Sequence, residues 1–366
     1  MADIPETMKA VILTGHGGLD KLEYHTDWPV PQLTPTGVII RVQACGLNNT
    51  DVNTRSGWYS KTVTEATTGG AYNEVSDDDP TWGGAPISFP RIQGVDAVGE
   101  VVAVGAEADP SLLGRRVITD GWLRDWDDPA SLNVHGYYGS ECDGGFAEYT
   151  LRDYREVLPV ENNMSSAELA TFSCSYTTAE NLLNRARLSE GNTVLITGAS
   201  GGVGSALIQL AKRRNATVIA LTSKAKAERV KALGADHVLP RSPDNLTAAL
   251  KSETGLDSVD VVADIVGGPI FPQLVEVLNT GGRYSCSGAI AGPIVDLDLR
   301  SLYLKDLTFT GCTVTSLDVF PALVGYINRK EIKPLLAASY PLSELRAAQQ
   351  AFIDKKHIGN IVVTME

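Results

Sequence analysis

One stretch restricts this chain more than any other: Val194-Leu-Ile-Thr-Gly-Ala-Ser-Gly-Gly-Val-Gly204, where glycines separate a short apolar run from a segment of helical periodicity. The run Thr193–Thr197 reads as a buried strand, and Val203–Arg213 reads as a helix with one apolar face. Glycines at such a junction let the backbone turn sharply and approach a ligand closely. The helix start that follows offers unpaired N–H groups to phosphate. On this reading Gly201 gives the tight turn and the close approach, and Gly204 lets the helix pack on the strand. Ser200, Gly201, Gly202, Val203 and Gly204 are then the expected pyrophosphate contacts, and the stretch implies a dinucleotide site.

The same rhythm continues downstream. Thr217–Leu221 reads as a strand before a helix over Lys224–Leu233, Asp260–Ile265 as a strand before a helix over Phe271–Leu278, and Tyr284–Ser287 as a further strand. Strands alternating with helices imply a doubly wound parallel sheet, the Rossmann arrangement. Upstream, from Met8 to about residue 160, short apolar or alternating runs are separated by Gly and Pro: Lys9–Leu13, Val38–Ala44, Val98–Val104, Arg116–Thr119 and Ala147–Leu151. They read as a mainly β domain. Ser165 to Leu183 turns helical, and the tail adds a helix near Leu342–Asp354 and a strand at Ile361–Thr364. With 366 residues the chain exceeds the roughly 250–300 at which a single core stops growing. The expected fold class is therefore α/β in two domains, one mainly β and one nucleotide-binding. Two stretches, Trp58–Phe89 and Gly121–Gly144, are rich in Gly, Asp, Trp and Tyr and longer than ordinary connections. They are expected to wall a pocket.

The second strand of the nucleotide domain ends Ala220-Leu-Thr-Ser-Lys-Ala-Lys226. An NAD-preferring site carries a carboxylate at this point, for the ribose 2′-hydroxyl. Here Ser223, Lys224 and Lys226 stand instead, able to bond and neutralise a 2′-phosphate. Arg241, past the third strand, is placed to stack on adenine or pair with the same phosphate. The alternative is that these lysines only solvate a helix face. NADPH is the expected cofactor, with Thr178, Val266 and Ser287 completing the expected contacts.

The 31 basic and 44 acidic side chains give a formal charge of −13 without any basic block, which argues against nucleic acid and anionic membranes as partners. The five cysteines are odd in number and form no C-x-x-C pair, so a disulfide framework is not expected and a cytoplasmic setting is. No run of about 18 apolar residues suggests a membrane span.

Three further motifs make the chain resemble the zinc-independent quinone oxidoreductase and enoyl reductase branch of the medium-chain dehydrogenase/reductase superfamily, over nearly its whole length. They are Ala44-Cys-Gly-Leu-Asn-Asn-Thr-Asp51 leading to Arg55-Ser-Gly-Trp-Tyr59, then Gly94-Val-Asp96 with Gly99, and Gly144-Gly-Phe-Ala-Glu-Tyr149. The resemblance implies a discontinuous GroES-like catalytic domain over 1–170 and 315–366, a Rossmann nucleotide-binding domain over 171–314, a cleft site, a homodimer and a small-molecule substrate. Where the superfamily's metal dehydrogenases carry a catalytic cysteine, histidine and glutamate, this sequence has Asn48, Val95 and Asp96; Cys174 alone stands near a further ligand position. Zinc needs thiolate, imidazole or carboxylate at close quarters, so no metal is expected.

Without a metal, reduction of an activated alkene or a quinone is the expected chemistry, because it asks only for positioning, stabilisation of a developing enolate and a proton. Asn48 is a candidate to bond the substrate carbonyl or the nicotinamide ribose. Tyr59 matches in place the tyrosine that donates a proton in related enoyl thioester reductases, its alternative being to pack beside Trp58. Asp51 reads as a structural acceptor and Cys174 as a packed helix thiol. An alcohol dehydrogenase or carbonyl reductase, and a cofactor-binding module without turnover, are the competing functions. The loops' aromatic content suggests a planar or apolar substrate.

Overall fold

The computed structural model describes residues 4–68, 70, 72, 75 and 86–365. The chain divides into two compact units. Met1–Val63, Thr68–Cys174 and Phe320–Glu366 form the first, and Thr64–Thr67 with Ser175–Val319 the second. The divisions fall at residues 174 and 319, beside the expected 170 and 314.

The first unit is mainly β. Its central strand, Gly37–Gly46, buries Val38, Ile39, Ile40, Val42 and Ala44 and leaves Arg41 and Gln43 in solvent. Covered on both sides, it pairs antiparallel with Asp96–Val104, Tyr149–Asp153 and Asn360–Thr364. Val362 lies opposite Gly46 and Thr364 opposite Ala44, so the last strand of the chain completes a sheet begun by the first fifty residues. A smaller sheet places Thr7–Leu13 between Leu22–Pro29 and Arg91–Ile92. Leu22–Pro29 gave no signal in the sequence because its side chains, LEYHTDWP, are mostly polar and face water. The expected strand at Ala147–Leu151 starts instead at Tyr149. The preceding residues are held elsewhere: Gly144 donates to the Ile92 carbonyl (2.7 Å) and Phe146 to that of Gln93 (2.9 Å).

Gly121–Gly144, expected to wall a pocket, contributes Leu123, Tyr138, Cys142, Asp143 and Gly144 to the lining of a cavity in the first unit. It contains a short antiparallel pair, Trp122–Leu123 with Gly136–Tyr137, and the Trp122 ring meets Tyr137 edge-on at 4.7 Å. Trp122, Tyr137 and Tyr138 are buried. Of Trp58–Phe89, residues 69, 71, 73, 74 and 76–85, including Trp82, lie outside the described residues.

The second unit has a six-stranded sheet, all parallel, in the order His237–Pro240, Thr217–Thr222, Thr193–Ile196, Val259–Asp264, Leu278–Cys286, Thr308–Gly311. The order reverses beside Thr193–Ile196, which creates a switch point after that strand and Val259–Asp264, where ligands of such sheets bind. Leu195, Ile219, Val262, Leu274 and Tyr284 belong to one apolar core. The expected helix over Lys224–Leu233 is split into a 3-10 turn, Lys224–Lys226, and a helix, Ala227–Ala232. The last expected strand starts at Leu278, its beginning masked in the sequence by Gly281 and Gly282.

Candidate active site

In the first unit the site grows from one helix start. Asn48 is extended (φ −131°, ψ 164°) and precedes the helix Asn49–Ser56, its N–H donating to Asp51 Oδ2 at 2.7 Å. This ties down an end that lacks intrahelical partners. The Asn48 side chain donates Nδ2–H to Asp96 Oδ2 at 2.9 Å. Asp96 opens the strand Asp96–Val104, is fully buried, and accepts on its other oxygen from the Cys174 N–H at 2.8 Å. Burial pushes its carboxyl up to about 7 against the lowering effect of these bonds, and burial does the same to Asp51. Asp51 accepts backbone N–H groups from its own neighbourhood, as a structural acceptor does.

Tyr59 follows the helix end, where Gly57 takes the left-handed conformation (φ 76°) that closes the helix. Its hydroxyl engages the side chains of Thr50 and Asn53 on that helix, and desolvation raises it to about 12, with the Cys174 thiol adding to the rise. Tyr137 approaches the same thiol and hydrogen-bonds it, and burial holds its phenol well above 10. Cys174 thus has two ties: its N–H fixes Asp96, and its thiol hydrogen-bonds Tyr137. Tyr137 was missed in the sequence as one aromatic among many. Only the pairing of residues 122–123 with 136–137 brings it here.

The metal positions of the superfamily can be tested on this geometry. Asn48 and Asp96 are bonded to each other, and Val95 is an aliphatic side chain, 1% exposed. Cys45 is buried with its thiol pushed well above 9. Among the described residues no three His, Cys, Asp or Glu side chains are grouped to hold a metal. A site for catalytic zinc takes three such ligands, so the donor set does not fit one.

In the second unit the glycine turn departs from the sequence reading in one respect. Gly198 (φ 58°) supplies the positive-φ turn, while Gly201 is extended (φ −81°, ψ 176°). A Cβ at Gly201 would have nothing nearer than the Gly198 carbonyl oxygen, at 3.6 Å, so neither φ nor packing within the protein requires glycine there. A ligand approaching the backbone would. At Gly204 a Cβ would lie 2.2 Å from the Gly198 oxygen, so the helix Gly202–Arg213 packs too closely for a side chain. These residues fit a dinucleotide phosphate: an open glycine at a helix start, with cations near. Lys226 Nζ lies 3.5 Å from Ser200 Oγ. Desolvation, then the charges of Arg229 and Arg241, lower the lysine's pKa, so three cations share one neighbourhood. Arg229 was missed, though its place three residues after Lys226 on a helix would have revealed it.

Ser223 is extended before the 3-10 turn that carries Lys224. Thr178 lies partly exposed in the helix Ser173–Arg185. Val266 and Ser287 lie just past the ends of adjacent strands and are tied to one residue, Asp264: Val266 N–H donates to its Oδ1 (2.8 Å) and Ser287 N–H to its carbonyl (3.1 Å). The fully buried Asp264 carboxylate also accepts from Thr197 Oγ1 (2.5 Å) and Tyr284 OH (2.6 Å). It locks the strand before the glycine turn to the strand before Val266, an organising role hidden within an apolar stretch.

Two sequence families match the chain: one described as "Alcohol dehydrogenase GroES-like domain" over residues 34–162, the other as "Zinc-binding dehydrogenase" over 202–329. A protein of Sinorhizobium meliloti 1021, whose crystal structure is provisionally described as that of an alcohol dehydrogenase, is 44% identical. That match covers 100% of this chain and 98% of the other, with a TM-score of 0.89. The chain is 28% identical over 367 residues to the NADPH-dependent alkenal/one oxidoreductase, chloroplastic, of Arabidopsis thaliana, covering 99% of this chain and 81% of that one. Acryloyl-coenzyme A reductase of Metallosphaera sedula is 28% identical over 368 residues, covering 98% and 100%.

Proposed function

The chain belongs to the medium-chain dehydrogenase/reductase superfamily, and from that premise we propose that it is an NADPH-dependent, metal-independent reductase of activated alkenes or quinones. The observation that carries this reading is the 2.9 Å bond between Asn48 and Asp96. It commits to each other two side chains that stand where zinc ligands would be needed, so charge on the substrate oxygen has to be met by hydrogen bonding instead. NADPH, when bound, supplies hydride to the β-carbon of the acceptor. Tyr59 supplies the proton. A phenol raised to about 12 stays protonated through neutral pH and yields only to an acceptor as basic as an enolate. Asn48, held by Asp96, positions the carbonyl end.

The choice of NADPH rests on Lys226, Arg229 and Arg241 near Ser200, with Ser223 and Lys224 beside them. Relatives named for alkenal/one and acryloyl-coenzyme A reduction agree with the alkene reading, and the relative described as an alcohol dehydrogenase favours alcohol oxidation. One experiment separates the two. Purified protein is treated with a strong chelator, analysed for zinc, and assayed for NADPH oxidation against enones, enoyl thioesters and quinones. Full turnover after chelation is expected. Stoichiometric zinc, with activity lost on removal and restored on addition, would overturn the proposal. The proposed assembly is a homodimer formed through the edge strand Thr308–Gly311, near which Ile294, Leu299, Tyr303 and Leu304 are each more than 60% exposed.

A further inference from the structure

Behind the Asn48–Asp96 pair lies a buried cation. Arg152, in the strand Tyr149–Asp153, is 1% exposed, and its guanidinium sits 3.3 Å over the Tyr138 ring. Nη2 donates a long bond of 3.4 Å to the Val95 carbonyl, which also accepts from Thr119 Oγ1 at 2.9 Å. Nε and Nη1 make no hydrogen bond. Enclosing a guanidinium is costly, and an arginine kept for structure alone offsets that cost by using its donors. Arg152 uses few, so the fold keeps it for its charge.

That charge acts in two directions. Burial raises the Asp96 carboxyl to about 7, and Arg152 pulls the other way, together with the bonds from Asn48 Nδ2 (2.9 Å) and the Cys174 N–H (2.8 Å). Burial raises Glu156 to about 7 as well, and Arg152 again opposes it. Glu156 closes the 3-10 turn Tyr154–Glu156, is buried, and accepts from the Tyr138 hydroxyl at 2.6 Å. Also facing Asp96 are Asp51 from the helix Asn49–Ser56, Cys45 from the central strand and Tyr137 from the short strand pair, while Cys142 and Cys45 face Arg152. Two buried carboxyls thus share one cation, and one of them holds Asn48.

On the reading of this site as that of a metal-independent reductase, we propose that Arg152 is a positioning residue: it fixes the Val95–Asp96 peptide and opposes the Asp96 charge, and so dictates which end of the Asn48 amide faces the carboxylate. An ionised carboxylate only accepts, so the amide has to present Nδ2 to it. The same nitrogen carries a second N–H, the donor that a developing enolate oxygen needs. A protonated Asp96 also donates, and the amide can then turn its oxygen toward the carboxyl, which withdraws that donor.

Two pH titrations of the full chain test this. One follows kcat/KM for reduction of methyl vinyl ketone and of menadione by NADPH; the other follows the Asp96 carboxyl carbon by NMR in aspartate-labelled protein, its signal assigned by its loss in Asp96→Asn. In the parent both midpoints are expected at about 7, with activity rising as Asp96 ionises. Arg152→Met is expected to move both up by about 1–3 pH units, the reach of a neighbouring opposite charge, and Arg152→Lys to keep both near the parent. Glu156→Gln leaves Arg152 to Asp96 alone and moves both down, and it decides the outcome should Arg152→Met fail to fold. Midpoints unmoved in these variants overturn the proposal, as does a carboxyl midpoint that moves while the rate profile stays. If neither acceptor is reduced, the failure is that of the reductase reading. The carboxyl midpoints need no turnover and still uphold or overturn the hold of Arg152 on Asp96.

Discussion

The Asp96 carboxylate takes its hydrogen bonds from an amide, Asn48, and a backbone N–H, Cys174, and both fall short of offsetting its burial. An aspartate raised to about 7 in the folded protein keeps a proton that the unfolded chain releases near 4. Stability therefore falls as pH rises between those values, and the loss is complete above the folded pKa. Asp51 contributes with the same sign. The thermal midpoint is expected to be higher at about pH 5.5 than at about pH 8, and Asp96→Asn to narrow the gap. Calorimetric scans that rise with pH across this window would contradict it. Tyr59→Phe removes the proposed proton and should lower kcat for enone reduction by about 10²–10⁴-fold while leaving NADPH affinity in place. Unchanged kcat would reduce Tyr59 to packing. Gly201 and Gly204 separate two roles that look alike in the sequence. Gly204→Ala meets backbone at 2.2 Å and should cost about 1–3 kcal/mol of stability. Gly201→Ala meets open space and should weaken cofactor binding at nearly unchanged stability. Urea unfolding and NADPH titration of both variants check the pair.

At the scale of elements, the end of the strand Thr217–Thr222 and the helix after it hold the cations. Lys226→Ala and Arg229→Ala should each raise KM for NADPH about 10–100-fold and move that for NADH little, since each removes up to one charge-assisted bond to the 2′-phosphate. Equal effects on both cofactors would show that these residues only solvate a helix. The helix Asn49–Ser56 shows what sequence periodicity misses. Asp51 through Ser56 are all buried, yet five of the six are polar, so no apolar stripe marks the helix. Its Arg55, unexposed, donates Nε–H to Gln349 Oε1 (2.9 Å) and Nη1–H to the Gly17 carbonyl (2.6 Å). Partners nearly three hundred residues apart justify burying this helix, and local composition cannot reveal them. No helix is expected here from the sequence.

For the whole molecule, the parallel sheet of the second unit leaves Thr308–Gly311 as an edge with a cluster of exposed apolar side chains near it in sequence. Sedimentation should find a dimer, and Leu304→Asp should shift it to monomer without unfolding it; a monomeric parent would end that proposal. Among the described residues no helix is long and apolar enough to cross a membrane. What the sequence determined by itself was everything carried by local pattern: the glycine turn, the strand–helix alternation of the nucleotide unit and the alternating strands of the first unit. These depend on neighbours within a few residues, and periodicity records them. Tertiary structure decided which glycine carries the turn and which faces open space, that Tyr137 bonds the Cys174 thiol, and that Asn48 is held by Asp96. Each of these is a contact between residues distant in the chain, fixed by sheet register and burial, and a linear pattern carries no record of it.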